Sequence, residues 1–431
     1  MNEAKRSERK KSMFKVLKNL KESWISVITI VLLLIVQAAG DLTLPDYTSK
    51  IVNVGIQNGG IENVAPEVIR KSEMENMLIF TEGDDKILAS YEEISKDNLD
   101  SAEYEKLVKK YPALENESLY RIKKISSSEQ DELDSLMAKP LMMLSVTKQM
   151  PKEQLDQMLE TVNQKLDDMQ DSILEQAAIQ EVKNEYKAIG MNTDSIQNQY
   201  IIMAGLKMLG ISLIIMISAI SIMCLSARVA ARLAKTLREK VFKKVLRFSN
   251  KEFSEYSTAS LITRSTNDIQ QIQGLIAILF RVLVYAPIIG IGGFLRVLNQ
   301  SDNSMAWIIG VAIVAILFVV ATLFIIAMPR FKKLQQLIDK LNLVAREILT
   351  GLPVIRAFNT EKKEEKRFDK ANMDLTKTNL FVNRAMSFMM PTLMLIMNGI
   401  SLLIVWVGAH GIDNGTMQVG NMMAFIQYTM Q

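Results

Sequence analysis

Few side chains in this sequence could do covalent chemistry. It has one histidine, His410, and one cysteine, Cys224, in 431 residues, and no nucleophile–base or metal-ligand constellation accompanies either. His410 closes a long apolar run and reads as an interfacial imidazole rather than a metal ligand. Cys224 lies inside another apolar run, excludes an intrachain disulfide, and reads as a small buried hydrophobe. The polar residues of interest interrupt apolar runs instead. Arg281 stands in one, with Tyr285 a turn further along the same face, and Asn398 and Gln427 stand in two others. A charge in such a run is costly to bury. Arg281 either lines a cavity or snorkels inward, roughly 22 Å below Arg296 at 1.5 Å per residue. Asn398 and Gln427 either line the same cavity or hydrogen-bond between helices. Met386, Met389, Met390, Met394 and Met397 suit a cavity for varied apolar ligands or a surface facing lipid. These residues suit binding and passage, not bond-making.

The elements that position them are read from composition and charge. Hydrophobic residues make up 49% and charged residues 23% of the chain, a mixture of membrane and aqueous segments. Residues 1–22 carry eight positive and three negative side chains, and residues 56–200 carry sixteen and twenty-nine. The counts are ten and four over 226–268, and thirteen and seven over 329–384. This alternation follows the positive-inside rule and is no nucleic-acid pattern. The N-terminus is expected in the cytosol, with the chain crossing the membrane several times.

In chain order, residues 1–22 form a cytosolic amphipathic segment, and 23–60 a first span with an outer extension, broken at Pro45. An acidic, mainly helical extracellular domain over 61–195 follows. Within it, 66–80 is expected helical with Pro66 in the first turn, Ser118–Ile125 as a strand, and Ser128 as a helix cap. Leu155, Leu159, Val162, Leu166 and Met169 make a helical stripe. Further spans cover 201–227, 269–298, 304–328 and 385–408, with a short turn at Asn299–Asn303. A sixth apolar helix begins at Met417. Its fifteen residues cover about 22 Å of a core about 30 Å thick, so the sequence is expected to be part of a longer polypeptide.

Between spans two and three, and again between four and five, basic helical segments leave the membrane and return. Each leg measures about 27–35 Å at 1.5 Å per residue, and Pro329 is a potential kink. The tips read FSEYSTASLITRSTND, from Phe253, and GLPVIRAFNTE, from Gly351. Helices this long would turn a small displacement at the tip into rotation of the spans. Arg264 and Asp268, four apart, would form an ion pair stiffening the return leg.

The stretch RVAARLAKTLREKVFKKVLRFSNKEFSEYSTASLITRSTNDIQQIQ resembles the first intracellular loop of ATP-binding-cassette (ABC) exporters, and REILTGLPVIRAFNTEKKEEKRFDKAN resembles their second. LTLPDYTSKIVNVGIQNG and GNMMAFIQYTMQ fit the same family, and the likeness is greatest to bacterial heterodimeric multidrug-type exporters. The resemblance covers nearly all the chain outside 61–195. It implies an all-α membrane protein, a six-helix type IV exporter domain with long cytosolic extensions and an inserted extracellular domain. It also implies a second half-transporter as partner, more readily a heterodimer than a homodimer, and nucleotide-binding domains that carry ATP and Mg. The tips would be coupling helices docking on those domains through Phe253, Glu255, Tyr256, Val354, Arg356, Phe358 and Glu361. The cargo would be an amphipathic small molecule, a lipid or a peptide. Ala259 stands where many family members have Gly, and would be strained at positive φ. No G-x-x-x-x-G-K-[ST] phosphate loop occurs in these residues, so no ATPase site is expected here. A membrane receptor, or a regulatory partner using the inserted domain, is the rival reading.

Overall fold

A backbone in lipid has no partner but itself, so long uncharged runs must become helices. The computed structural model of the protein describes residues 23–81, 84–96, 98–149, 171–298, 305–414 and 416–431. The expected helix over 1–22, the stripe from Leu155 to Met169 and the turn Asn299–Asn303 lie outside the described residues. Among the described residues, five helical runs are long and apolar enough to cross a membrane. The first is α1 (Trp24–Lys50), continued by a π-helical segment, Ile51–Gln57. After the inserted domain comes α7 (Thr193–Val245), 53 residues without a break. A short helix, α8 (Asn250–Glu255), turns the chain into α9 (Thr258–Ser265), α10 (Asn267–Phe280), a π-helical turn Arg281–Tyr285 and α11 (Ala286–Leu298). Then come α12 (Ala306–Thr350), α13 (Leu352–Ala357) and α14 (Glu361–Asp413). Where a sixth span is expected from Met417, α15 (Val419–Met430) covers 12 residues, about 18 Å, and is not among the five.

Prolines interrupt these helices less than the sequence suggests. Pro45 lies inside α1 and Pro329 inside α12. Pro45 has no N–H to give the Asp41 carbonyl one turn back, and the Gln431 side chain donates to that carbonyl instead, at 3.1 Å. The return leg, by contrast, is broken where a continuous helix is expected. Thr266 sits at φ −113°, ψ −77° between α9 and α10. Thr263, Ser265 and Thr266 all bond back to carbonyls three or four residues earlier, which bends helices. Ala259 is helical within α9, so its side chain is unstrained there.

The inserted domain carries β1 (Val68–Arg70), α2 (Lys71–Leu78), α3 (Asp84–Ser90), β2 (Tyr91–Ile94), α4 (Ser101–Lys110), β3 (Leu119–Ile122), α5 (Ser127–Gln149) and α6 (Asp171–Ile189). Its sheet has the order β1-β3-β2, all antiparallel, with Ile69 and Glu93 both opposite Tyr120. The expected strand near Ser118 is therefore the centre of a sheet. Residues 68–70 pair with it instead of forming the helix expected from Pro66, because Val68 and Ile69 bury completely in that pairing. The cap expected at Ser128 belongs to Ser126, whose N–H and hydroxyl both donate to Glu129, while its hydroxyl accepts from the Glu129 N–H. Tyr111, Met74, Met137 and Ile189 anchor one apolar core.

The chain divides into two compact units, residues 1–302 with 410–429 and 431, and residues 303–409 with 430. In the first unit α1, α7 and α10 meet through Ile30, Leu34, Ile222, Val229, Leu233, Ile276 and Phe280. In the second, α12 buries Ile308, Ala312 and Val344, and α14 buries Ala371, Val382 and Ile404. The other span faces are apolar and exposed, as at Phe318, Leu402 and Met223. Cys224 shares that exposure and is not the buried hydrophobe expected, because an apolar run in a span faces lipid as readily as protein.

Candidate coupling tips and a polar cluster on the first span

Each turning point is a short helix whose ends are closed locally. Ser249 and Glu252 form a complete capping box at the start of α8, and the bonds from Ser249 hold the Glu252 carboxyl below its ordinary range. The helix of the first tip thus spans 250–255. Phe253 and Tyr256 are exposed there. Tyr256 stacks against Phe248 with centroids 6.0 Å apart, and the Arg264 guanidinium lies 5.1 Å over its ring. Arg264 therefore makes a cation–π contact, and the expected pair with Asp268 does not form. The break at Thr266 separates the two, and Asp268 instead opens α10, where the helix dipole favours a carboxylate. The side chain of Glu255 lies outside what is described.

At the second tip, Pro353 sits in the first turn of α13. Asn359, at φ 52°, closes the helix in the left-handed region that asparagine tolerates, and Thr360 N–H returns to Ile355 O at 3.0 Å. Val354 is 61% and Phe358 76% exposed, and Arg356 and Glu361 are exposed beside them. Arg367 joins the two legs of this hairpin by pairing with Glu347 at 2.5 Å. Between the legs, an apolar groove of about 390 Å³ is lined by Ile348, Leu352, Ile355 and Phe368 together with Glu361 and Glu365.

A second cluster forms where the sequence offers two carboxylates, Asp41 and Asp46, in the C-terminal part of α1. Tyr285, in the π-helical turn, donates to Asp41 Oδ2 at 2.5 Å. Arg296 pairs with Asp46 Oδ2 at 3.0 Å, and Tyr428 donates to Asp46 Oδ1. Two helical turns further, buried Asn53 accepts from Gly420 N–H at 2.7 Å and donates to Asn421 Oδ1 at 3.1 Å. Ser49 donates to the same Asn421 oxygen at 2.8 Å. A Cβ at Gly420 would collide with Asn53 Oδ1 and the Ser49 carbonyl, so only glycine lets α15 approach this closely. None of Asp41, Asp46, Asn53 or Asn421 was expected as a site residue. Their signal was present, since carboxylates and an amide at the end of an apolar run need partners.

The remaining candidates are dispersed. Tyr285 is half-buried and bound to Asp41, Gln427 is half-buried on α15, and Asn398 is exposed on α14. The side chain of Arg281 lies outside what is described. His410 is exposed near the end of α14, and no cluster of three or more metal-ligating side chains occurs among the described residues.

The inserted domain holds its own buried charges. Arg70 donates to both oxygens of Glu185, at 2.9 and 2.7 Å, and this partner raises its pKa further. Lys148 bridges Glu73 and Glu181 at 2.8 and 2.7 Å. Burial pushes against ionisation of Glu67, but hydrogen bonds from Lys110 and Tyr111 outweigh it and hold the carboxyl below its ordinary range.

The sequence also resembles known proteins. The pattern described as the ABC transporter transmembrane region matches residues 155–431. An uncharacterized ABC transporter ATP-binding protein of Mycobacterium bovis is 35% identical over 233 residues, 54% of this chain and 40% of that protein. The ABC transporter ATP-binding protein YfiB of Bacillus subtilis is 33% identical over 208 residues, 47% of this chain and 35% of that one. The ATP-dependent lipid A-core flippase of Pseudomonas aeruginosa is 28% identical over 208 residues, 46% and 33% respectively. The chain thus spans two fifths or less of the length of these relatives. Long apolar helices, two capped tips and this match lead to one assignment: the chain belongs to the ABC transporter transmembrane region family.

Proposed function

We propose that this chain is the membrane-spanning half of an ATP-driven exporter, moving amphipathic compounds out of a bacterial cell by alternating access. It pairs with a second, non-identical half, keeps its N-terminus in the cytosol and its inserted domain outside. One observation carries the reading: Phe253, Tyr256, Val354 and Phe358 are exposed on short helices that turn long helices back on themselves. Exposed aromatic rings at a fixed turning point suit a protein partner. Nucleotide-binding domains carrying ATP and Mg supply one, and hydrolysis there would move the tips and rotate the spans. Arg281, Tyr285, Asn398 and Gln427 are the residues we assign to the cargo path. A relative named as a lipid A-core flippase supports lipid-like cargo within the amphipathic class.

The test is Phe358→Ala in the complete transporter, reconstituted in vesicles with its nucleotide-binding domains. The side chain is 76% exposed, so folding is unaffected. ATP hydrolysis is expected to persist within about twofold, while cargo moved per ATP falls about tenfold, some 1.4 kcal/mol of coupling. Unchanged cargo per ATP would overturn the role of the tip.

A further inference from the structure

The inserted domain meets the two spans that it joins around a cavity of about 460 Å³, a volume suited to a small molecule. Residues 60–67 lead away from the first span and residues 191–199 lead into the second, so both connections form its wall. They run against each other closely. Gly60 has φ +85°, and a Cβ there would stand 2.8 Å from Gln197 Cα. Gln197 Nε2 in turn donates to Gly55 O at 2.9 Å.

The lining is divided by chemistry. Ile122, Met191 and Ile196, all half-buried, offer an apolar floor. Also in the lining, Lys110 Nζ pairs with Glu67 Oε1 at 2.6 Å, and Tyr111 donates to the same oxygen at 2.8 Å. No hydrogen bond among the described residues reaches Glu67 Oε2, and the Lys110 ammonium keeps N–H groups to donate. Tyr186, 6% exposed, accepts from Glu67 N–H at 2.7 Å. Its own hydroxyl hydrogen meets no acceptor among the described residues, and the residue lines the cavity. The cavity therefore presents an open carboxylate oxygen, an ammonium and a buried hydroxyl donor beside an apolar surface.

We infer that this cavity binds a small zwitterion with an apolar body, of dipeptide size. The ligand ammonium meets Glu67 Oε2, its carboxylate meets Lys110 and the Tyr186 hydroxyl, and its apolar side chains lie on Ile122, Met191 and Ile196. An occupant would touch both connections at once and so bear directly on the outer ends of the first two spans. The inference is independent of what the spans carry.

The test uses the full chain in lipid nanodiscs and titration calorimetry with three probes: leucyl-leucine, N-acetyl-leucyl-leucine and leucyl-leucine amide. Leucyl-leucine is expected to bind about tenfold tighter than either capped form, the size of one charge-assisted hydrogen bond. K110Q should bring it to the level of the amide, and E67Q to that of the acetylated form. Absence of binding, or equal binding of the three probes, would overturn the site. Hydrogen exchange of the unaltered chain gives a readout free of any folding defect in the variants. Amides of 191–199 should slow when leucyl-leucine is added, and unchanged exchange there would also overturn it.

Discussion

Glu185 shows how one side chain can hold a domain together. It is 5% exposed, and it accepts from the Arg70 backbone N–H as well as from the guanidinium. Glu185→Ala would leave a partly buried cation and a backbone donor without their principal partner. A loss of about 3–5 kcal/mol is expected from breaking such a pair, read by urea unfolding of the inserted domain, with Glu185→Gln falling between. Glu67 gives a pH dependence of known sign. Its folded pKa is depressed, so below the ordinary carboxylate range the unfolded chain binds the proton first. Stability from this group is present above the unfolded pKa and is lost as pH falls through the folded one. Glu67→Gln should flatten the acid limb of a stability–pH profile, and an unchanged slope would count against the pairing with Lys110. Neither residue could be singled out beforehand among the twenty-nine acidic side chains of residues 56–200. Selection came from pairing across the fold, which spacing does not encode: Glu185 meets Arg70 115 residues away, and Glu67 meets Lys110 43 residues away.

Among the elements, the helices were the most legible. Their apolar runs, basic continuations and turning points all appear as local patterns, and local hydrogen bonding suffices to form them. The short helices at the tips were legible for the same reason, since Ser249 with Glu252 and Pro353 with Asn359 are local stop and start signals. The contact of α15 with α1 was not. It depends on Asn53 reaching Gly420 and Asn421 across more than 360 residues. Gly420→Ala should push α15 off this contact. Cross-linking of a Ser49→Cys/Asn421→Cys pair, efficient in the parent chain, is expected to fall about tenfold, since even 1.4 kcal/mol shifts a population that far. Retained cross-linking would show that the helix tolerates the added methyl.

At the scale of the whole molecule, charge distribution sets the expectation for topology. The acidic excess lies in the insert and the basic excess in the segments bearing the tips. Protease added to right-side-out cells is expected to cut within 61–195 and spare 250–263, followed by mass spectrometry of the released peptides. The reverse pattern would invert the orientation.

By itself the sequence determined the helical class, the long apolar runs, the turning points and the family, because each is written in local periodicity or in motifs read residue by residue. Only the tertiary structure decided the sheet within the insert, the cation–π contact that replaced the Arg264–Asp268 pair, and the cluster of Asp41, Asp46 and Asn53. Those depend on which groups remain unpaired once the helices have formed. A buried polar group takes whatever donor or acceptor the packing brings within reach, and that choice is made in three dimensions.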